Sequence, residues 1–200
     1  MQELLQTPQV NRDAEWERKF LEKLMLANVF CGDGKPLTGP EGFPYLMVDT
    51  SIPGTEPMSK IIHWLSEKGI GLVVNAKTDP HPDMVLSYGM VWSLVKFGGI
   101  WSHSFMAPAS FTAGPPTEDI LPRYVRKTLK QFLMDQGVLQ PRFLAAMTTQ
   151  GLEFCFSLES LGNPHSKEHA GIAEAISWFL PPQFSVALAS EKQLTGFTPI

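Results

Sequence analysis

From Met84 to Thr117 the chain carries a single charged residue, Lys96, and six aromatic rings, those of Tyr88, Trp92, Phe97, Trp101, Phe105 and Phe111. A stretch of this kind is either buried or forms an apolar binding surface, because soluble monomers rarely leave a wide apolar patch in water. Ser, His and Pro interrupt it, so it cannot span a bilayer, and no run of about 18 apolar residues occurs anywhere in the chain. Its first part, MVLSYGMVWSLVKFGG, predicts a strand or turn leading into a short helix stopped by Gly98 and Gly99. Its later part, FMAPASFTAGPP, is broken by proline and glycine and predicts an extended crossing loop.

On either side of this segment the chain reads in the same order. Trp16, Phe20, Leu21 and Leu24 recur at helical spacing, which predicts a helix from about Asp13 to Asn28 with Asp13 as its N-cap. Cys31 to Gly42 is rich in glycine and proline and ends it. Phe43 to Val48 then reads as a buried strand. Met58, Ile61, Ile62 and Leu65 fall at i, i+3, i+4 and i+7, so a second helix follows, capped by Thr55 and stopped by Gly69, with Gly71–Val74 as the next strand. Beyond the segment, Leu121, Val125, Leu129, Phe132 and Leu133 mark a helix opened by Pro122 and ended by Gly137. Arg142–Met147 and Glu153–Leu158 read as two strands. A helix from about Ser166 to Phe179 stops at Pro181-Pro182, which cannot continue it, and Phe184–Ala189 is the last strand.

The expected fold is therefore α/β or α+β, with two similar helix–strand–helix–strand halves, each a small sheet covered by helices. The predicted boundaries are residues 1–80, a connecting segment 81–117, and 118–200. Ile61-Ile62-His63-Trp64-Leu65 aligns with Ala175-Ile176-Ser177-Trp178-Phe179, each shortly before an apolar strand, which suggests an internal repeat. Two hundred residues are enough to bury a core without staples. The two cysteines, Cys31 and Cys155, lie far apart with no CxxC, so neither a disulfide framework nor a zinc ribbon is on offer. The first residues lack the basic leader and apolar core of a signal peptide. With 16 Lys and Arg against 20 Asp and Glu, net charge −4, the balance argues against a dedicated nucleic-acid binder.

Chemistry-bearing patterns are few, and each has an ordinary structural counterpart. His165-Ser-Lys-Glu168-His169 has the H-x-x-E-H spacing of inverted zinc peptidases, where two histidines hold the metal and the glutamate acts on water. It follows Asn163-Pro164 at a helix start, and only Glu174 and Glu191 lie downstream as carboxylate ligands, so a polar first turn explains it as well. Cys31-Gly-Asp-Gly34-Lys35-Pro36 fails as a phosphate loop, since Val29 stands where glycine is required and Pro36 where Ser or Thr is. No G-x-S-x-G elbow is present. Asp79-Pro-His81-Pro-Asp83 flanks a histidine with carboxylates on what reads as an exposed loop. Arg123, Arg126, Lys127 and Lys130 place four cations on one helix face, a docking face for an acidic or phosphate-bearing partner, although a solvated helix face gives the same pattern.

In this layout the chain resembles the SseB-like (enhanced serine sensitivity) proteins of bacteria. The likeness is carried by the helix Tyr124 to Met134, by Pro141-Arg-Phe-Leu-Ala-Ala, by Leu152-Glu-Phe-Cys-Phe-Ser-Leu-Glu159 and by the break at Leu180-Pro181. In the first half, Phe43-Pro-Tyr-Leu-Met-Val and Gly71-Leu-Val-Val-Asn-Ala76 resemble the family's paired strands. The resemblance implies a bacterial cytoplasmic protein of non-enzymatic role and transfers no site residue.

The expected function is that of an interaction protein, an adaptor, chaperone-like or immunity-type binder of a protein partner. Tyr88, Trp92, Trp101 and Phe105 are its expected surface, because Trp and Tyr dominate interface hot spots. No nucleic acid, membrane or cofactor is implied, and the sequence does not set an oligomeric state. The rival expectation is a small-ligand binder or enzyme with its pocket between the halves, served by His63, His81, His103 and Cys155. A zinc hydrolase using His165, Glu168 and His169 is its narrow form.

Overall fold

A computed structural model describes residues 2–100, 112–148 and 151–200. The chain divides into two units, Met1–Gly99 and Ile100–Ile200. In the first, α1 (Gln2–Leu5) and a 3₁₀ turn, Gln9–Asn11, precede α2 (Ala14–Met25). Asp13 caps α2 by accepting the Trp16 N–H at 2.8 Å, and Glu15 and Glu17 sit in its first turn, where the helix dipole favours them. Its buried stripe is Trp16, Phe20, Leu21 and Leu24. The helix ends three residues short of the expected Asn28, because Asn28–Val29 is a short strand, β1.

Then come β2 (Leu37–Thr38), β3 (Pro44–Val48), β4 (Glu56–Pro57), α3 (Met58–Lys68), β5 (Gly71–Val74), β6 (Met84–Leu86) and α4 (Tyr88–Phe97). Pro57 rather than Thr55 occupies the N-cap of α3, since Glu56–Pro57 pairs antiparallel with β1 and so fixes the entry to the helix. Gly69 ends α3 in the left-handed region at φ 75°, a conformation that glycine adopts without steric cost. The sheet order is β2-β3-β5-β6, with β3 and β5 parallel and the two outer pairings antiparallel. All four residues of β5 are buried.

The described first part of the uncharged segment, residues 84–100, supplies a strand and a helix. β6 is the fourth strand of the first sheet, with Met84 and Leu86 buried and Val85 exposed, the alternation of a half-covered strand. Ser87 caps α4, Gly98 ends it, and Tyr88, Val91, Trp92, Ser93 and Leu94 are buried along it. A helix apolar on nearly every side belongs inside a core. Both elements belong to the first unit, which runs to Gly99.

The second unit holds β7 (Thr112–Gly114), α5 (Arg123–Asp135), β8 (Arg142–Thr148), β9 (Gly151–Ser157), α6 (His169–Ser177), β10 (Ser185–Ala189) and β11 (Thr198–Pro199). Its sheet runs β10-β9-β8-β11, with β9 and β10 parallel and β8 antiparallel to β9. β7, which the sequence reading placed in a crossing loop, pairs along β8 at Ala145–Met147, while β11 pairs at Arg142–Phe143. Period-two alternation separates two cores. Phe143, Phe154 and Phe156 meet on one face, with Phe184 5.4 Å from Phe154. Leu144, Ala146 and Cys155 meet Phe197 on the other.

Both units contain the order helix, antiparallel strand pair, helix, strand parallel to the second of the pair. These elements are α2-β2-β3-α3-β5 and α5-β8-β9-α6-β10.

Two glycines of opposite character test this packing. A Cβ on Gly54 would lie 1.9 Å from the Val29 carbonyl carbon, so Gly54→Ala must push β1 away and should cost about 1–3 kcal/mol. Gly171, exposed inside α6, has nothing within 4 Å of such an atom, and Gly171→Ala should add about 0.5–1 kcal/mol. Urea denaturation of both variants measures the two signs.

Candidate functional site

Because β9 and β10 are parallel, their carboxyl ends emerge side by side. β8 runs the other way, so its first residue, Arg142, stands at the same edge. Ligands of α/β sheets favour this edge, outside the carboxyl ends of the strands. Here it carries a cleft of about 530 Å³, walled by the turn 136–140 and the loop 159–162, with Arg142 and Glu191 between them.

The strand ends tie the site together. The buried Ser157 hydroxyl donates to Glu191 Oε1 at 2.7 Å and accepts the Ser160 N–H at 3.0 Å. Arg142 donates from Nη1 to Glu191 Oε2 at 2.5 Å and from Nη2 to the Phe197 carbonyl at 2.7 Å. Glu159 accepts the Ser190 hydroxyl at 2.5 Å and the Glu191 N–H at 2.9 Å. The Ser190 hydroxyl, and after it that backbone N–H, hold the Glu159 carboxyl below the usual carboxylate range. The cleft therefore presents fixed ionic groups beside an apolar rim, where Leu139 is 84% exposed. Its described lining contains no histidine or cysteine. What it offers is shaped electrostatic and apolar contact.

The first unit has a polar cluster at the corresponding edge, and it is closed. Asn75, in the left-handed region at φ 53° just past β5, accepts the Thr50 N–H at 2.7 Å and donates to Asp83 at 2.8 Å. Asp83 also takes the Thr78 hydroxyl and the Arg12 guanidinium, the latter at 2.8 Å with only 10% and 5% of the two side chains exposed. Arg12 lies 4.4 Å over the Trp16 ring and donates to the Thr7 carbonyl.

Tyr88 and Trp92, two of the four residues expected on a partner surface, are fully buried in the first unit, and Tyr88 donates its hydroxyl to the Ser66 carbonyl at 2.8 Å. Aromatic bulk without charge marked a core helix, and a partner could reach these rings only by opening it. Trp101, Phe105 and His103 lie outside the described residues. His63 and His81 are exposed in the first unit. Cys155 sits in β9 within the second unit's core, where burial and then Glu153 push its thiol up to about 11.

The H-x-x-E-H segment makes a capping box. Glu168 accepts the His165 N–H at 3.0 Å through its carboxylate and donates its own N–H to the His165 carbonyl at 2.8 Å at the start of the 3₁₀ turn Ser166–Glu168, and His169 Nε2 bonds the Pro164 carbonyl at 3.1 Å. Among the described residues no three His, Cys, Asp or Glu side chains are grouped to hold a metal ion. On α5, Arg126 is turned back onto the Leu121 and Pro116 carbonyls, Arg123 pairs with Glu118 at the surface, and Lys127 and Lys130 are exposed.

The sequence reading passed over Arg142 and Glu159 as site residues and weighed Glu191 only as a downstream metal ligand. Their signal is a charged residue abutting each apolar run, and it becomes spatial only once β8, β9 and β10 are paired. No family model, curated protein or solved structure matches this chain.

Two outcomes follow from these environments. Arg12→Ala leaves the Asp83 carboxylate buried without its counter-ion and should cost roughly 3–5 kcal/mol in chemical denaturation. In Ellman titration of the native chain at pH 8, half-buried Cys31 should react slowly, its thiol raised by burial and then by Glu56. Cys155 should stay silent until denaturant is added, because a raised pKa keeps the thiol protonated below it.

Proposed function

We propose that this chain is a non-enzymatic interaction protein, of the adaptor, chaperone-like or immunity type, acting in the bacterial cytoplasm as the SseB-like proteins do. We place its partner contact at the cleft of the second unit. The observation that carries this reading is Leu139, 84% exposed on the rim of a cleft whose ionic groups are already fixed by the strand ends. Preorganised polar groups beside an exposed apolar side chain suit recognition, since little ordering is left to do on binding. The shared order of elements in the two units supports both the likeness to SseB-like proteins and an internal repeat, in which the first unit's edge is closed by Arg12 and the second's is left open.

A small-ligand reading draws on the same cleft, whose volume falls within the about 300–1,000 Å³ of small-molecule pockets. Photo-crosslinking separates the two. A photoreactive residue at position 139, activated in a lysate of the source organism, should give a discrete protein adduct. The same residue at position 10, where Val10 is 93% exposed in the first unit, should not. A low-mass adduct would favour the small ligand, and equal labelling from both positions would overturn the assignment of the cleft.

A further inference from the structure

The outward side of α5 orders its charges against its own dipole. Cations are disfavoured in a helix's first turn and acids in its last, yet Arg123 opens α5, Arg126 and Lys127 follow, no acid stands in the first turn, and Asp135 closes the helix. Arg126 has a local reason, since it bonds the carbonyls of the segment leading into the helix. Arg123 has only a surface pair with Glu118, their side chains 84% and 57% exposed, an arrangement that contributes little to stability.

The remaining geometry is directional. At about 100° per residue, Arg123, Lys127, Lys130 and Met134 fall within about 60° of one another, in a stripe centred about 130° round the helix from the buried Val125, Leu129 and Leu133. All four are exposed, Met134 at 45%. Asp135 lies off this stripe, bonded to Gln131. Three cations followed by an apolar residue at helical spacing form a seam that a second helix can match.

We infer that this stripe docks an acidic amphipathic helix of a partner protein, with carboxylates over Arg123, Lys127 and Lys130 and an apolar residue against Met134. The inference rests on the interaction reading and names the chemistry of the partner. The turn after α5 carries Leu139, so a helix laid along the stripe runs towards the rim of the cleft.

The test selects a displayed library of helix-forming peptides, randomised on one face, against the full chain. Recovered peptides should carry Asp or Glu on successive turns and an apolar residue one turn beyond. Their affinity should fall about tenfold or more for Lys127→Glu/Lys130→Glu, as expected when two unlike contacts become like-charged, and should be kept by Lys127→Arg/Lys130→Arg. An unchanged melting temperature in the reversed variant would show that the loss is one of binding. Peptides without acidic bias, no recovered peptides, or equal affinity for the charge-reversed chain would overturn the proposal. If the adduct from position 139 forms equally well on Lys127→Glu/Lys130→Glu, the interaction reading stands and the α5 dock falls.

Discussion

Where two parallel strands end side by side, the chain leaves the sheet twice at one edge, and the backbone groups freed there must find partners. Each unit of this protein meets that constraint, because β3 and β5, and β9 and β10, run parallel across a helical crossover. Each meets it with a side-chain cluster centred on an arginine and a carboxylate. In the first unit Asp83 collects Arg12, Asn75 and Thr78, and its own N–H returns to the end of β5 at Val74. In the second, Glu191 collects Arg142 and Ser157, with Glu159 bracing Ser190 and the Glu191 backbone.

The two solutions differ in how much water they keep. Arg12 comes from a segment laid over the edge, and the pair it makes is nearly dry, so removing one partner strands a charge that has already lost its hydration. Arg142 comes from the sheet itself and its pair is 40% and 27% exposed, which leaves the surrounding cleft accessible and the pair's own contribution to stability smaller. The same topological edge thus serves as a clamp in one unit and as an open surface in the other. What decides between them is whether a neighbouring stretch of chain covers it.

Much of this fold was legible before any strand was paired. The stripe Met58, Ile61, Ile62, Leu65 gives α3, and the glycine after it gives its end. The run Glu153 to Leu158 gives β9, and the order of elements in the two halves follows. Less legible were β7 and β11, short strands without their own hydrophobic pattern, which exist only because β8 has an edge to share between them. The candidate site was hidden for a related reason. Arg142, Glu159 and Glu191 are separated in sequence, and each looks like the ordinary polar end of an apolar run until pairing puts all three at one edge. The histidines and glutamate of 165–169 had the opposite fate: a recognisable spacing in which Glu168 and His169 bond the backbone at the start of a helix.

The aromatic segment teaches the same distinction between composition and placement. Low charge and many rings are necessary for a sticky surface, but they are also what a central helix needs. Tyr88 and Trp92 are buried because Ser87 starts a helix that is covered on most sides, with only its last turn reaching the surface at Lys96. α5 shows the converse. Its inward stripe, Val125, Leu129 and Leu133, is buried, while its outward stripe is exposed, and residues there can be ordered against the helix dipole at small cost. Sequence choices that the fold neither requires nor favours are where a partner can leave its mark, which directs attention away from the rings and towards Arg123, Lys127, Lys130 and Met134.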